Sequence, residues 1–411
     1  MFDFGGVVAT IMHVDMDSFY ASVEIRRRPA LGRAPMWVGG DGRGVVLSAN
    51  WLAKQWGVEG GMPSARAKRL CPTGVAVRPD FDAYLVASRA VMEIFRRVVA
   101  VVETASIDEA YLDVTGALRM WGSAVEIGQQ IRQLVRTEQQ LPCSVGIGPN
   151  RLVAKMASKA AKPDGLREVP PEEVLAFLHP MPVEQLYGVG ASTAERLHRR
   201  GIVTVGDLAD TPRQTLRASF GPQAAVALVN LAFGRSSAHV SNQHVPAVGV
   251  GNQETFAADS ADPAVVRAEI LRVCSSVARR LRKAGLMGRG VTLSIRFADF
   301  TTASASLTLP NPVDTAQELY AVALTLYDRP RLHAKPVRRV GVRCDQLVGA
   351  DQVHLQPTLG EPELGWREAE RAADRLNARF GAKAVTRAAL ARLPEHHHPI
   401  PPGRAALGSS E

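Results

Sequence analysis

The sequence predicts a mixed fold of helices and strands, an α+β or α/β core followed by further domains, and three observations carry that reading. Strand-like and helical stretches alternate through residues 9–170. Residues 171–235 then turn helical and short-looped. Beyond a polar, non-periodic stretch at 236–248, residues 249–346 alternate again as strand, helix, two strands, helix, strand. A chain of 411 residues suffices for about two to four domains.

Taken in order, residues 9–18 read as a strand, and 19–79 as small elements punctuated by glycine. Helical spacing over 82–102 leads into a second strand at 104–114. Residues 123–139 read as a helix, 144–148 as a strand closing in a tight turn, and 149–163 as a basic amphipathic helix followed by a turn. In the last third, strands are expected near 249–256, at 290–297, 303–309 and 337–346, with helices at 263–284 and 314–327. A further helix is expected at 365–380, and from Pro394 a Pro/Gly/Ser-rich tail that the composition marks as disordered. No internal repeat is visible.

At 46% hydrophobic and 22% charged residues the composition is that of an ordinary globular protein. Lys and Arg total 49 against 40 Asp and Glu, a basic excess that makes nucleic acid the first candidate partner. Cys71, Cys143, Cys274 and Cys344 lie far apart with no CxxC pair, which argues for reduced, buried thiols and against a zinc site. The start of the chain lacks a secretory pattern, and no run of about 18 apolar residues occurs. A cytoplasmic, monomeric protein with no membrane segment is therefore expected.

Two segments carry acids. His13-Val14-Asp15-Met16-Asp17 and Ser106-Ile107-Asp108-Glu109 are short apolar runs ending in carboxylates, as when a buried strand delivers acids to a sheet edge. Carboxylates brought together repel and shift each other's pKa. Divalent cations such as Mg²⁺ remove that repulsion, taking oxygen ligands from few carboxylates and from substrate phosphates. Any one Asp alone reads as a cap or a surface ion-pair partner, and Asp17 and Asp113 are read as structural. Phe19-Tyr20, an aromatic pair at a strand end, reads by itself as core.

The runs His-Val-Asp-Met-Asp-Ser-Phe-Tyr-Ala-Ser-Val-Glu from His13 and Ser-Ile-Asp-Glu-Ala-Tyr-Leu-Asp from Ser106 resemble the two palm motifs of the Y-family translesion DNA polymerases, in particular the DNA polymerase IV (DinB) branch. The resemblance runs from about Val8 to about Leu347. It implies an α+β right-hand polymerase: palm at 9–18 and 80–170, fingers at 19–79, a thumb with a helix-hairpin-helix at 171–236, a linker at 237–247 and a βαββαβ-like little finger at 248–347. A C-terminal extension would occupy 348–393 and the tail 394–411. It implies template-directed addition of deoxynucleoside triphosphates to a primer on DNA, across damaged templates. Two Mg²⁺ ions, or Mn²⁺ in their place, would be held by Asp15, Asp108, Glu109 and the Met16 carbonyl. Tyr20 matches the steric gate that rejects a ribose 2′-hydroxyl, with Phe19 beside it.

The fingers depart from the family pattern. Where relatives carry a Tyr and, three residues on, an Arg on the triphosphate, this chain has Trp51 and Lys54, with Ser48 just before. Trp51 offers only an indole N–H, and Lys54 keeps the charge but loses the planar fork. Lys162 matches the family lysine that reaches the triphosphate. Gly188 and Gly190 fall in a helix-hairpin-helix match whose exposed amides would hold a DNA phosphate. Arg338, Arg339 and Arg343 match the family's last little-finger strand and are expected on DNA phosphates. The segment Gln352–Gln356 keeps the Gln and Leu of a sliding-clamp peptide without its aromatic anchor, which weighs against clamp binding there. His396–His398 reads as an incidental run. The competing reading is a non-catalytic, polymerase-like DNA-binding scaffold, and retention of all three acids weighs against it.

Overall fold

The computed structural model describes residues 9–40, 42–243, 247–353, 365–381 and 384–391. The chain divides into two compact units, one running to residue 244 and the other beginning at residue 245.

The first unit opens with β1 (Ile11–Met16), α1 (Phe19–Arg27), β2 (Met36–Gly39), β3 (Val46–Ala49), α2 (Trp51–Gln55), α3 (Ser64–Leu70) and β4 (Val75–Val77). It continues with α4 (Phe81–Val98), β5 (Val101–Thr104), β6 (Glu109–Asp113), α5 (Leu118–Trp121), α6 (Ala124–Leu134), β7 (Cys143–Gly148), α7 (Arg151–Ala161) and β8 (Leu166–Glu168). A five-stranded sheet, ordered β5-β6-β1-β7-β8, places β1 between β6 and β7 and antiparallel to both.

Side chains alternate across β1 with period two. Met12, Val14 and Met16 enter a core with Tyr84, Val91 and Phe95 of α4 and Ile127 and Ile131 of α6. Ile11, His13 and Asp15 therefore face the other way, toward α7. There Ile11 packs with Ala154, and His13 bonds Ser158. Gly146 on β7 permits this approach. A Cβ there would stand 2.1 Å from both the Ala154 carbonyl oxygen and the Ser158 nitrogen.

The acidic strand expected at 104–114 is broken. β5 ends at Thr104, and Ala105–Asp108 form a turn in which the amides of Ala105 and Ser106 donate to the Glu109 carbonyl at 3.0 and 3.1 Å. Asp108 thus precedes its strand, and the acids open β6 instead of ending a run. Because β6 runs antiparallel to β1, its start lies at the edge where β1 ends. β1 itself stops at Met16, because Ser18 adopts a left-handed φ of 48° that turns the chain into α1. Phe19 and Tyr20 are therefore helix residues, not strand-end residues. The helix expected to reach 102 stops at Val98, where Val99 turns extended. The one expected at 123–139 is α-helical only to Leu134 and closes in a π-turn.

A separate three-stranded sheet, β3-β2-β4, closes with α2 and α3 over a small core that includes Trp37, Val46 and Cys71. The helices α8 (Val174–Leu178), α9 (Ala191–His198), α10 (Val205–Asp210), α11 (Arg213–Phe220) and α12 (Pro222–Ala232) gather around Leu178, Leu197, Leu208 and Leu216.

The second unit runs β9 (Gly249–Ser260), α13 (Pro263–Lys283), β10 (Leu286–Phe297), β11 (Thr302–Val313), α14 (Ala316–Tyr327) and β12 (Val337–Gly349). This is the βαββαβ order the sequence predicts. The four strands, ordered β11-β10-β12-β9, are all antiparallel. Leu293, Ile295, Val340 and Val342 pack with Ile270, Val277 and Leu319 of α13 and α14, so the helices cover one face. The strands outrun their apolar cores because ladder hydrogen bonds continue where side chains are polar. Two more helices follow, α15 (Trp366–Phe380) and α16 (Ala388–Ala391).

The four cysteines are free and buried, and no helix among the described residues is long and apolar enough to cross a membrane. Most of the segment matched to a clamp peptide, His354 to Gln356, lies outside the described residues, as do His396–His398 and the tail.

Candidate active site

The antiparallel register sets Asp15 directly opposite Glu109 on β6 and opposite Ser144 on β7. The Met16 amide donates to the Asp108 carbonyl at 2.9 Å, tying the turn that carries Asp108 to the end of β1. Ser106 Oγ donates to Asp108 Oδ1 and fixes that carboxyl. Three acids from two distant segments thus meet at one sheet edge.

Two lysines of the α7 segment answer them. Lys155 Nζ lies 2.5 Å from Glu109 Oε2, and Lys162, just past the end of the helix, bonds Asp15. Lys162 also stands 3.9 Å from Asp17. Behind Lys155, His13 is fully buried, with its Nδ1 at 2.7 Å from Ser158 Oγ and its Nε2 at 3.4 Å from Lys155 Nζ. Ser158 Oγ also reaches the Lys155 carbonyl at 2.9 Å, and His13 Nε2 lies 3.5 Å from Glu109 Oε2. Burial lowers the His13 pKa and keeps the ring neutral at pH 7, so Lys155 is the charged partner of Glu109.

The acids titrate apart. The His13 ring and the Lys155 ammonium beside it hold the Glu109 carboxyl down to about 2. Asp108 moves the other way: burial raises its pKa, with the Asp15 and Glu109 carboxylates adding to the shift. Asp17 is raised by burial as well, and its carboxylate accepts from Ser144 Oγ at 3.0 Å and from the Asp164 amide at 2.7 Å. Asp17 thus pins β7 and the turn after Lys162, and points away from a role beside Asp15. Asp113 caps its own turn by accepting from the Thr115 amide.

Tyr20 is half-buried on α1. Its ring stacks on Tyr84 at 4.5 Å between centroids and meets Phe81 edge-on at 5.8 Å. Its hydroxyl is pushed up to about 12, by burial first and then by the Asp108 charge, which places it within the field of the acids. Phe19 is core. Lys54 Nζ donates to Ser18 Oγ at 2.9 Å, in the turn between Asp17 and α1. Burial and the nearby Lys162 lower the Lys54 pKa, so two ammonium groups share this corner. Ser48 Oγ accepts from the Ala21 amide at 3.4 Å. Trp51 is 59% exposed at the start of α2 and is not part of the core.

The other expected residues lie on other elements. Gly188 needs its left-handed φ of 98°, whereas Gly190 is extended at φ −83°, with nothing within 4 Å of an added Cβ. Only Gly188 is a conformational requirement. On β12, Arg339 and Arg343 alternate with the buried Val340 and Val342 and so stand on the open face of the sheet. Arg338 does not join them: it sits in a bulge between Val337 and Arg339, pairs with Asp259 at 3.8 Å and lies over Phe300. Sequence reasoning missed His13 and Lys155. The signals were present: His13 is two residues before Asp15 on one strand, and Lys155 is two helical turns before Lys162.

The model of the impB/mucB/samB family matches residues 14–159, that of its C-terminal domain residues 248–359, and the IMS family HHH motif residues 171–202. DNA polymerase IV of Halorhodospira halophila is 40% identical to 86% of this chain, covering 97% of that protein. DNA polymerase IV of Bacillus velezensis is 34% identical, with 94% of each chain covered. Among solved structures, a Y-family DNA polymerase chimera built on Dbh superposes with a TM-score of 0.75 at 26% identity, over 82% of this chain and 99% of that one. An insertion ternary complex of Dbh DNA polymerase gives 0.58 at 27% identity, over 82% and 98%. By fold, by site and by these relatives, the chain belongs to the Y-family DNA polymerases, on the DNA polymerase IV branch.

Proposed function

We propose that this protein is a translesion DNA polymerase that extends a primer 3′ end on a DNA template, with deoxynucleoside triphosphates and divalent metal ions. The observation that carries the reading is the meeting of Asp15, Asp108 and Glu109 at one sheet edge. The donors fit hard divalent ions. They are all oxygen, and two of them already draw ammonium groups as counter-charges. Ions of this kind take few protein carboxylates and complete their shell with substrate phosphate oxygens.

Asp15, Asp108, Glu109 and the Met16 carbonyl would hold two Mg²⁺ ions. When bound, such ions promote loss of the primer 3′-hydroxyl proton and neutralise the triphosphate and departing pyrophosphate. The rest falls to side chains. Lys162 leaves Asp15 for a triphosphate oxygen, and Lys54 brackets the same corner from the fingers. Tyr20 fills the space a ribose 2′-hydroxyl would need. Arg339 and Arg343, on the open face of the second sheet, bind DNA phosphates without reading bases. Palm, fingers, thumb and little finger are our assignments for the residue ranges that the sequence suggested. A non-catalytic scaffold has no observation in its favour. Primer extension with Mg²⁺ and with Mn²⁺ tests the reading: extension that needs template, nucleotide and metal supports it, and its absence with both metals overturns it.

A further inference from the structure

The helix α15 lies beyond the matched family C-terminal domain, which ends at residue 359. It is held to the second unit by its charged side. Glu370 pairs with Arg282 and caps α14 by accepting from the Ala316 amide at 3.0 Å. Asp374 pairs with Arg282 at 2.7 Å, and Arg367 with Asp314 at 2.9 Å. These contacts use the acids inward.

Outward, α15 carries the acid Glu368 in its first turn, beside Arg371, and beyond it basic and aromatic side chains. Arg371, Arg375 and Arg379 recur every four residues and are all exposed. Among the described residues none of the three forms an ion pair within 4 Å. Like charges at i,i+4 destabilise a helix, so this stripe costs stability without a polyanion beside it. Its rise of about 6 Å per step is close to the spacing of successive phosphates along an extended strand. Trp366 and Phe380, at the two ends of α15, are 57% and 65% exposed. Arg387 lies over Trp366, its guanidinium carbon 4.9 Å from the ring centroid, and Arg379 lies over Phe380 at 5.2 Å. Exposed aromatics flanking a basic stripe are the elements of a single-strand site: charge follows the backbone, and rings stack on bases that only an unpaired strand can offer.

We infer that α15 binds single-stranded nucleic acid through Arg371, Arg375 and Arg379, with Trp366 and Phe380 as stacking platforms. These residues are distinct from the acids of the first unit and from Arg339 and Arg343 on β12. The unpaired template strand is a ligand of that chemistry.

The test uses the full chain and a labelled oligo-dT of about 20 nucleotides, long enough for one site. Replacing Arg371, Arg375 and Arg379 together by Gln, which keeps helix propensity, should weaken oligo-dT binding about tenfold near physiological salt. The slope of log affinity against log salt should fall by about 2, the value for three contacts on a single strand. The Arg→Lys triple variant should retain the slope. Trp366→Ala or Phe380→Ala should each weaken oligo-dT binding at least about fivefold. Blunt duplex binding should change less than about twofold in all of them. A wild-type affinity and slope for the folded Gln variant overturns the inference. So does a loss confined to duplex, which would make α15 a double-strand contact.

Discussion

Asp15 and Glu109 face each other across the β1–β6 pair, each with a different lysine: Lys162 on Asp15, Lys155 on Glu109. Like charges directly opposed on neighbouring strands are destabilising. The two ammonium groups offset that repulsion while no divalent ion is bound.

This arrangement makes Lys155 a stability residue in the metal-free protein. Lys155→Met should lower the melting temperature by a few degrees, on the order of 1–2 kcal/mol, because the pair is partly buried and Glu109 is left facing Asp15. Adding Mg²⁺ should raise the melting temperature of the variant more than that of the wild type. An unchanged melt with an equal Mg²⁺ response would mean that Lys155 is a solvated surface charge.

Tyr20 offers a second test. Its ring stacks on Tyr84 and stands within the field of Asp108. Tyr20→Ala should admit ribonucleotides while keeping part of the deoxynucleotide activity, since no acid is touched. The loss of buried aromatic contact should cost about 1–3 kcal/mol of stability, so incorporation is compared at a temperature where both proteins are folded. A ratio of ribo- to deoxynucleotide efficiency equal to that of wild type returns Tyr20 to a packing role.

The fingers substitutions should weaken nucleotide use. A bidentate Arg contact exceeds a single Lys contact by roughly 1–2 kcal/mol, or about tenfold in efficiency. Trp51→Tyr combined with Lys54→Arg is expected to lower the nucleotide KM by about that factor. An unchanged or higher KM would show that Lys54, held on Ser18, already makes a working site of a different shape.

The sequence disclosed the fold wherever apolar period and chain geometry agreed. Period two on β1 places His13 and Asp15 on one face, and period 3.6 on α4 aligns Tyr84, Val91 and Phe95 toward the core. The strand–helix order of the second unit was legible for the same reason. What escaped depends on contacts between distant segments. The turn at Ala105–Asp108 is closed by a carbonyl that propensity does not single out. The bulge that removes Arg338 from its neighbours is set by pairing with β9 and β10. Lys155 reads as one basic residue among several until the strand pairing brings Glu109 beneath it.

Glu254 supplies a pH test away from the acidic site. Burial first, then the Glu269 carboxylate, raises its pKa to about 7, and Arg272 only partly opposes this. The folded form holds its proton more tightly than the unfolded chain, whose carboxyl titrates near 4.5. The stabilisation is therefore complete below about pH 4.5 and is lost as pH rises through about 7. Glu254→Gln removes this dependence. The melting temperature of the variant should gain on wild type between those limits, by about 1–3 kcal/mol in stability at pH 8. A difference that stays constant with pH would refute the assignment.

The central claim is that Asp15, Asp108 and Glu109 carry the chemistry while duplex binding rests elsewhere. The most direct measurement is single-turnover primer extension by the Asp108→Ala, Glu109→Ala double variant, alongside its affinity for primer-template. We expect extension to be abolished, with primer-template affinity within a few-fold of wild type, because phosphate contacts hold the duplex. Extension near the wild-type rate in the folded double variant would contradict the account.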